Sequence, residues 1–121
     1  MRAIKIDAKE QTITEIDITE PHPEINHAIG ADTIEIGMTL GREFQGGSDD
    51  HLLYVNEEGM LFWDEGKELH GFLWAGELFA GSGAVIGWDP CSGEEIDATL
   101  TIEDVEKIVQ FTEMGKMKEV A

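Results

Sequence analysis

The chain has 121 residues, 41% of them hydrophobic, with 26 Asp and Glu against 8 Lys and Arg and a formal net charge of −18. That length makes one domain, and that apolar content is too high for a disordered acidic tail. The charge disfavours direct binding of DNA, RNA or anionic lipid, the single cysteine excludes an internal disulfide framework, and no apolar run reaches the roughly 18 residues of a membrane span.

Taken in chain order, residues 2–7 and 12–18 read as a hairpin. Ile4 and Ile6 alternate with Lys5 and Asp7, and Ile16 and Ile18 with Glu15 and Asp17. The opening residues carry charge instead of an apolar leader, so a cytoplasmic protein is expected. Glu20-Pro21-His22-Pro23 stops the second strand, because proline cannot donate to a ladder. A short helix follows over 23–29, closed by Gly30. Residues 33–40 form the cleanest strand pattern, with Ile34, Ile36, Met38 and Leu40 on one side. Residues 41–50 read as a loop with a glycine-rich tip. Leu52-Leu53-Tyr54-Val55 is a strand, Asn56-Glu57-Glu58-Gly59 a turn in which Gly59 is free to take a positive φ, and Met60-Leu61-Phe62-Trp63 a returning strand. Residues 64–80 give no clear pattern. Residues 84–88 are a further strand. A helix over 101–112 has Thr101 as its N-cap, Asp104 as a weak imitation of a capping box, Leu100 and Val105 as a staple, and a buried face of Val105, Ile108 and Val109. Gly115 stops it, and 116–121 is a frayed tail. The expected architecture is one α+β domain over 1–115, a mostly antiparallel sheet of five to six strands with two helices.

Catalytic chemistry is poorly supplied. His22, His27, His51 and His70 have no metal-ligand spacing, so no metal or other cofactor is expected. Ser48-Asp49-Asp50-His51 holds the residue types of a hydrolase triad, but triad members converge from separate elements. Cys91 lies in a turn among Asp89, Glu94 and Glu95, which disfavour a thiolate. Gly81, Gly83 and Gly87 lack the spacing of a phosphate loop and precede a strand, so close packing explains them better than a ligand. Of the three tryptophans, Trp74 and Trp88 are the candidates for partial exposure. The sequence reads as a non-enzyme.

The pattern resembles a family of short uncharacterised proteins from phages, prophages and plasmids. Its basic-Ala-x-x-Ile-Asp start matches residues 2–7. Its Val-x-x-Glu-Gly turn matches residues 55–59, and its Ala-Gly-x-Gly-x-x-x-Gly-x-Asp segment matches residues 80–89. A final helix matches residues 101–111. The resemblance implies a mobile-element context and an accessory role. It carries no catalytic residue.

Two functional expectations follow. The first is an acidic accessory protein that binds and inhibits a host defence protein with a basic surface, as a nucleic-acid mimic. About 35 Å of duplex, the width of a chain this size, carries roughly 20 phosphate charges, comparable to this net charge. The contacts would come from Glu15, Asp17, Glu35, Glu57, Glu58, Glu103, Asp104 and Glu106. The second is a homo-oligomer that sequesters a nucleotide signal with Trp74, Gly81, Gly83, Gly87 and Trp88. The plainest alternative is acidity that serves solubility alone.

Overall fold

The computed structural model describes residues 1–40 and 50–113. Its elements in chain order are β1 (Arg2–Asp7), β2 (Thr12–Asp17), α1 (Pro21–Ile29), β3 (Ile34–Leu40), β4 (His51–Asn56), α2 (Gly59–Asp64), β5 (His70–Trp74), β6 (Glu77–Ala80), β7 (Gly83–Trp88), β8 (Glu95–Ile96), α3 (Ile102–Ile108) and β9 (Val109–Glu113). The class is α+β, as the patterning implies, with more and shorter elements than expected. The loop expected over 41–50 falls, except for Asp50, outside the described residues, as do Ser48, Asp49, the stop expected at Gly115 and the tail expected over 116–121.

The apolar patterning dictates the layers. β4 and β7 read as nearly continuous apolar runs, which a strand supports only with both faces covered. They are neighbours inside a six-stranded antiparallel sheet of order β2-β1-β7-β4-β3, with β8 beside the Trp88 end of β7. One face carries Ile4, Ile6, Leu53, Val55 and Val85 and packs on Phe72, Trp74, Phe79 and Val105. Those residues belong to α3 and to a second sheet of order β6-β5-β9. The other face carries Ala3, Leu52, Tyr54, Ala84 and Ile86 and is covered by Ile25 of α1 and Ile18. The six-stranded sheet is therefore the middle layer, between α1 and the smaller sheet.

The first hairpin and the central strands form where the alternation places them. α1 begins at Pro21, two residues early. Glu24 turns its carboxylate back to the backbone N–H groups of Thr19 and Glu20, and Gly30 closes the helix in the left-handed region. Other expectations need correction. A bulge between Ile36 and Met38 breaks the β3 alternation. Ile34 therefore packs on the α1 side and Met38 on the opposite core, so the four apolar residues do not share a face. Gly37, at the bulge, lets β3 approach Phe79, whose ring would stand 2.8 Å from a Cβ there.

Residues 60–63 are helical, within α2, and Gly59 at its start lies against the Ala80 carbonyl oxygen, 2.7 Å from where a Cβ would stand. Gly59 serves close approach and has no positive φ. The unassigned stretch holds the β5–β6 hairpin. Ala75 and Gly76 both take positive φ at its tip, the geometry of a two-residue primed turn. The last helix does have the expected capping box, with Asp104 N–H donating to Thr101 Oγ1 at 3.0 Å and Thr101 N–H donating to Asp104 Oδ2 at 3.0 Å. It ends at Ile108, however. Val109 turns extended, and residues 109–113 pair with β5. Val105 is fully buried, whereas Ile108 and Val109 are half-buried against the core.

Candidate functional site

The two sheets each end in strands with one neighbour among the described residues, and these ends meet at two seams. At one seam β3 and β6 come together beside α2. A cleft of about 280 Å³ opens there, lined by Glu35, Ile36, Met60, Glu57, Glu77 and Leu78 among others. Three carboxylates thus line a cleft with Met60, which is 44% exposed, while Ile36, 51% exposed at the same edge, turns its side chain to the other face of the sheet. At the opposite seam a more open cleft of about 540 Å³ lies between β2 and the α3–β9 segment, lined by Ile13, Val109, Phe111 and one carboxylate, Glu106.

The expected acidic set divides between these seams. Glu15 and Asp17 stand on β2 and Glu35 on β3, at opposite edges of the sheet. Four strand spacings separate those edges, about 19 Å at roughly 4.8 Å each. That exceeds two Debye lengths at physiological salt, so Glu15, Asp17 and Glu35 cannot act as one local patch. Several members are also committed within the fold. Glu15 Oε1 receives the Arg2 guanidinium at 3.0 Å, and Asp17 Oδ1 receives the Met1 amine at 2.8 Å. The hydrogen bond and charge of that amine hold the Asp17 carboxyl below the usual carboxylate range. Asp104 caps α3, and the backbone N–H of Thr101 lowers its pKa. Glu103 and Glu106 are exposed on α3, which packs beside β2. Glu57 is exposed and Glu58 half-buried just before α2. Glu77 belongs with Glu35 and Glu57, but only the two-sheet arrangement brings it there.

The glycine–tryptophan set is taken up by the fold. Of the two candidates for a partly exposed ring, Trp74 is covered, at 1% exposure, and Trp88 is half-buried. A Cβ on Gly83 would meet the Phe72 ring at 2.9 Å, and one on Gly87 would meet the Asp97 carbonyl oxygen at 2.2 Å. Gly81 takes a positive φ and faces the Glu68 carboxylate. The surfaces that glycine leaves bare at 83 and 87 are occupied by the protein itself.

His51 is 2% exposed and structural. Its Nε2 accepts the Thr99 backbone N–H at 3.0 Å, so the ring proton is on Nδ1, which donates to Asp50 Oδ1 at 2.8 Å. Cys91 is exposed in a turn closed by its own N–H on Asp89 Oδ1 at 2.9 Å. A second polar group escapes sequence reading: His22 Nε2 and the Tyr54 hydroxyl both converge on Glu95 Oε1, at 2.6 and 2.9 Å. Burial first, then the bond to Glu95, pushes the Tyr54 phenol well above its ordinary pKa. Two donors sharing one acceptor clamp α1 to β4 and β8, and a phenol held neutral is no nucleophile. Among the described residues no three His, Cys, Asp or Glu side chains are grouped to hold a metal, and no helix is long and apolar enough to cross a membrane.

No protein-family model, curated protein or solved structure matches the chain.

Proposed function

We propose that this chain is a non-enzymatic accessory protein that binds a basic surface of a partner protein, and that the β3–β6 seam is its contact. The partner class we put forward is a host defence protein whose basic groove ordinarily receives nucleic acid. The observation that carries the reading is the grouping of Glu35, Glu57 and Glu77 in one cleft beside exposed Met60, with exposed Ile36 on the other face of the same edge. Carboxylates supply charge-assisted hydrogen bonds to Lys and Arg, and the exposed apolar side chains beside them supply area that holds when salt screens the charge. The net charge of −18 points the same way. The two acidic edges are too far apart for one continuous row of phosphate-like charges along this sheet. The mimicry we propose is accordingly local, at one wall of the groove.

Each exposed pair contributes about 0.2–1 kcal/mol, so three together amount to roughly 0.6–3 kcal/mol, about 3- to 150-fold in affinity. The test is capture from a host lysate with washes of rising salt, using the parent, Glu35→Gln/Glu57→Gln/Glu77→Gln, and Glu15→Gln/Glu103→Gln/Glu106→Gln. The reading expects a salt-sensitive partner that the first triple variant loses and the second retains. Equal retention by both variants assigns the acidity to solubility.

A further inference from the structure

Resting on the reading that this seam takes a basic partner, we propose how it does so: an extended segment of the partner adds as a strand to the free edge of β3, with Lys or Arg alternating with apolar residues. The ladder itself gives the first reason. Glu57 N–H donates to Thr33 O at 3.1 Å, which makes Thr33–Glu57 a hydrogen-bonded pair. Such pairs alternate along an antiparallel ladder. Glu35–Val55 is therefore the next, and Ile34 and Ile36 turn their N–H and C=O groups away from β4, toward the open edge. β6 gives the second. Gly81 N–H donates to His70 O at 2.8 Å, so the hydrogen-bonded pairs fall at Phe72–Phe79 and Trp74–Glu77, and Leu78 turns its backbone groups outward as well. Among the described residues, β3 and β6 each pair with one strand only.

The side chains then set the occupant. A residue placed opposite Glu35 shares its face and meets a carboxylate, with Glu57 and Glu77 lining the same cleft; a residue opposite Ile36 meets a half-exposed isoleucine on the other face. Recognition by alternate residues is the usual logic of strand addition. The bulge after Ile36 breaks the register and keeps the added strand short. A second copy of this chain does not fit, because a paired β3 would set Glu35 against an equally acidic molecule of net charge −18. A nucleic acid is excluded by the sign of its charge.

The probe is a blocked octapeptide of alternating lysine and valine, titrated to millimolar concentration against the parent protein and followed by amide NMR and hydrogen exchange. The same peptide N-methylated on alternate residues is the control. Expected are shifts confined to residues 34–37 and 77–79, at least 10-fold slower exchange of the Ile34 and Ile36 amides, and loss of both with the methylated peptide. Glu35→Gln/Glu57→Gln/Glu77→Gln should weaken binding about 3- to 150-fold. Binding that depends on the three carboxylates but leaves the Ile34 and Ile36 amides unprotected would overturn strand addition while the acidic-contact reading stands. Binding that maps to β2 and β9, or is indifferent to the triple variant, would overturn both. No binding at millimolar peptide would overturn strand addition.

Discussion

Gly87→Ala separates a glycine that serves the fold from one that leaves room for a ligand. The added Cβ would stand 2.2 Å from the Asp97 carbonyl oxygen, 2.9 Å from its carbon and 3.0 Å from the Ile96 oxygen. All three are backbone atoms, so no side chain can rotate aside. β8 must move off β7, and it carries Glu95 with its bonds to Tyr54 and His22. Overpacking of this kind costs about 1–3 kcal/mol, and a backbone obstacle puts it at the upper end, about 3 kcal/mol. Gly87 has no positive φ, so alanine also narrows the unfolded ensemble, which offsets about 0.4–1 kcal/mol. The net loss is about 2 kcal/mol, or roughly 6–10 °C in Tm for a chain of this size. Thermal unfolding followed by circular dichroism reads it. A variant that melts within about 2 °C of the parent would refute the packing argument and return Gly87 to the role of a bare surface for a ligand.

Three further outcomes follow from the packing and charge. Val105→Asp buries an unpaired carboxylate at a fully buried position, costing several kcal/mol, so the sharp urea transition of the parent should disappear; a parent-like transition would remove Val105 from the core. His51→Leu strands the Thr99 N–H and should cost about 1–2 kcal/mol in urea unfolding, and a nitrogen-15 spectrum of the parent should show the ring proton on Nδ1; a proton on Nε2 would contradict the Thr99 bond. The Asp104 pKa is lowered in the folded state, so its contribution is complete above the unfolded value of 3.8 and is lost as pH falls through the folded value. The stability difference between the parent and Asp104→Asn should therefore be full near neutrality and vanish in strong acid, and a difference independent of pH would refute the capping role.

What the sequence shows and what it hides divide along physical lines. β1, β2, β7 and the capped start of α3 are legible because alternation and capping are local. The helical reading of 109–112 fails because Val109 and Phe111 fit a 3.6-residue period and a two-residue period alike, and the vacant edge of β5 decides between them. Met60-Leu61-Phe62-Trp63 is too short for either period to settle, and the close approach of Gly59 to Ala80 at its start is a long-range contact that no local pattern signals. In β3 the bulge at Ile36 and Met38 leaves no trace in the composition, yet it moves Met38 to the other core. The seam is the least legible feature. Glu35, Glu57 and Glu77 span three separate parts of the chain, and only the order of both sheets brings them to one cleft. The central strands, conversely, explain why Trp74 is covered: β5 lies against them as a second layer.

The most direct measurement of where this protein meets its partner is site-specific photo-cross-linking in a host lysate. One probe replaces Met60, 44% exposed in the β3–β6 seam. The other replaces Thr14, exposed on β2 at the opposite seam. The account predicts a cross-linked protein from position 60, none from position 14, and loss of the adduct when Glu35, Glu57 and Glu77 are changed to Gln. An adduct from position 14, or one from position 60 that survives the three changes, would contradict it.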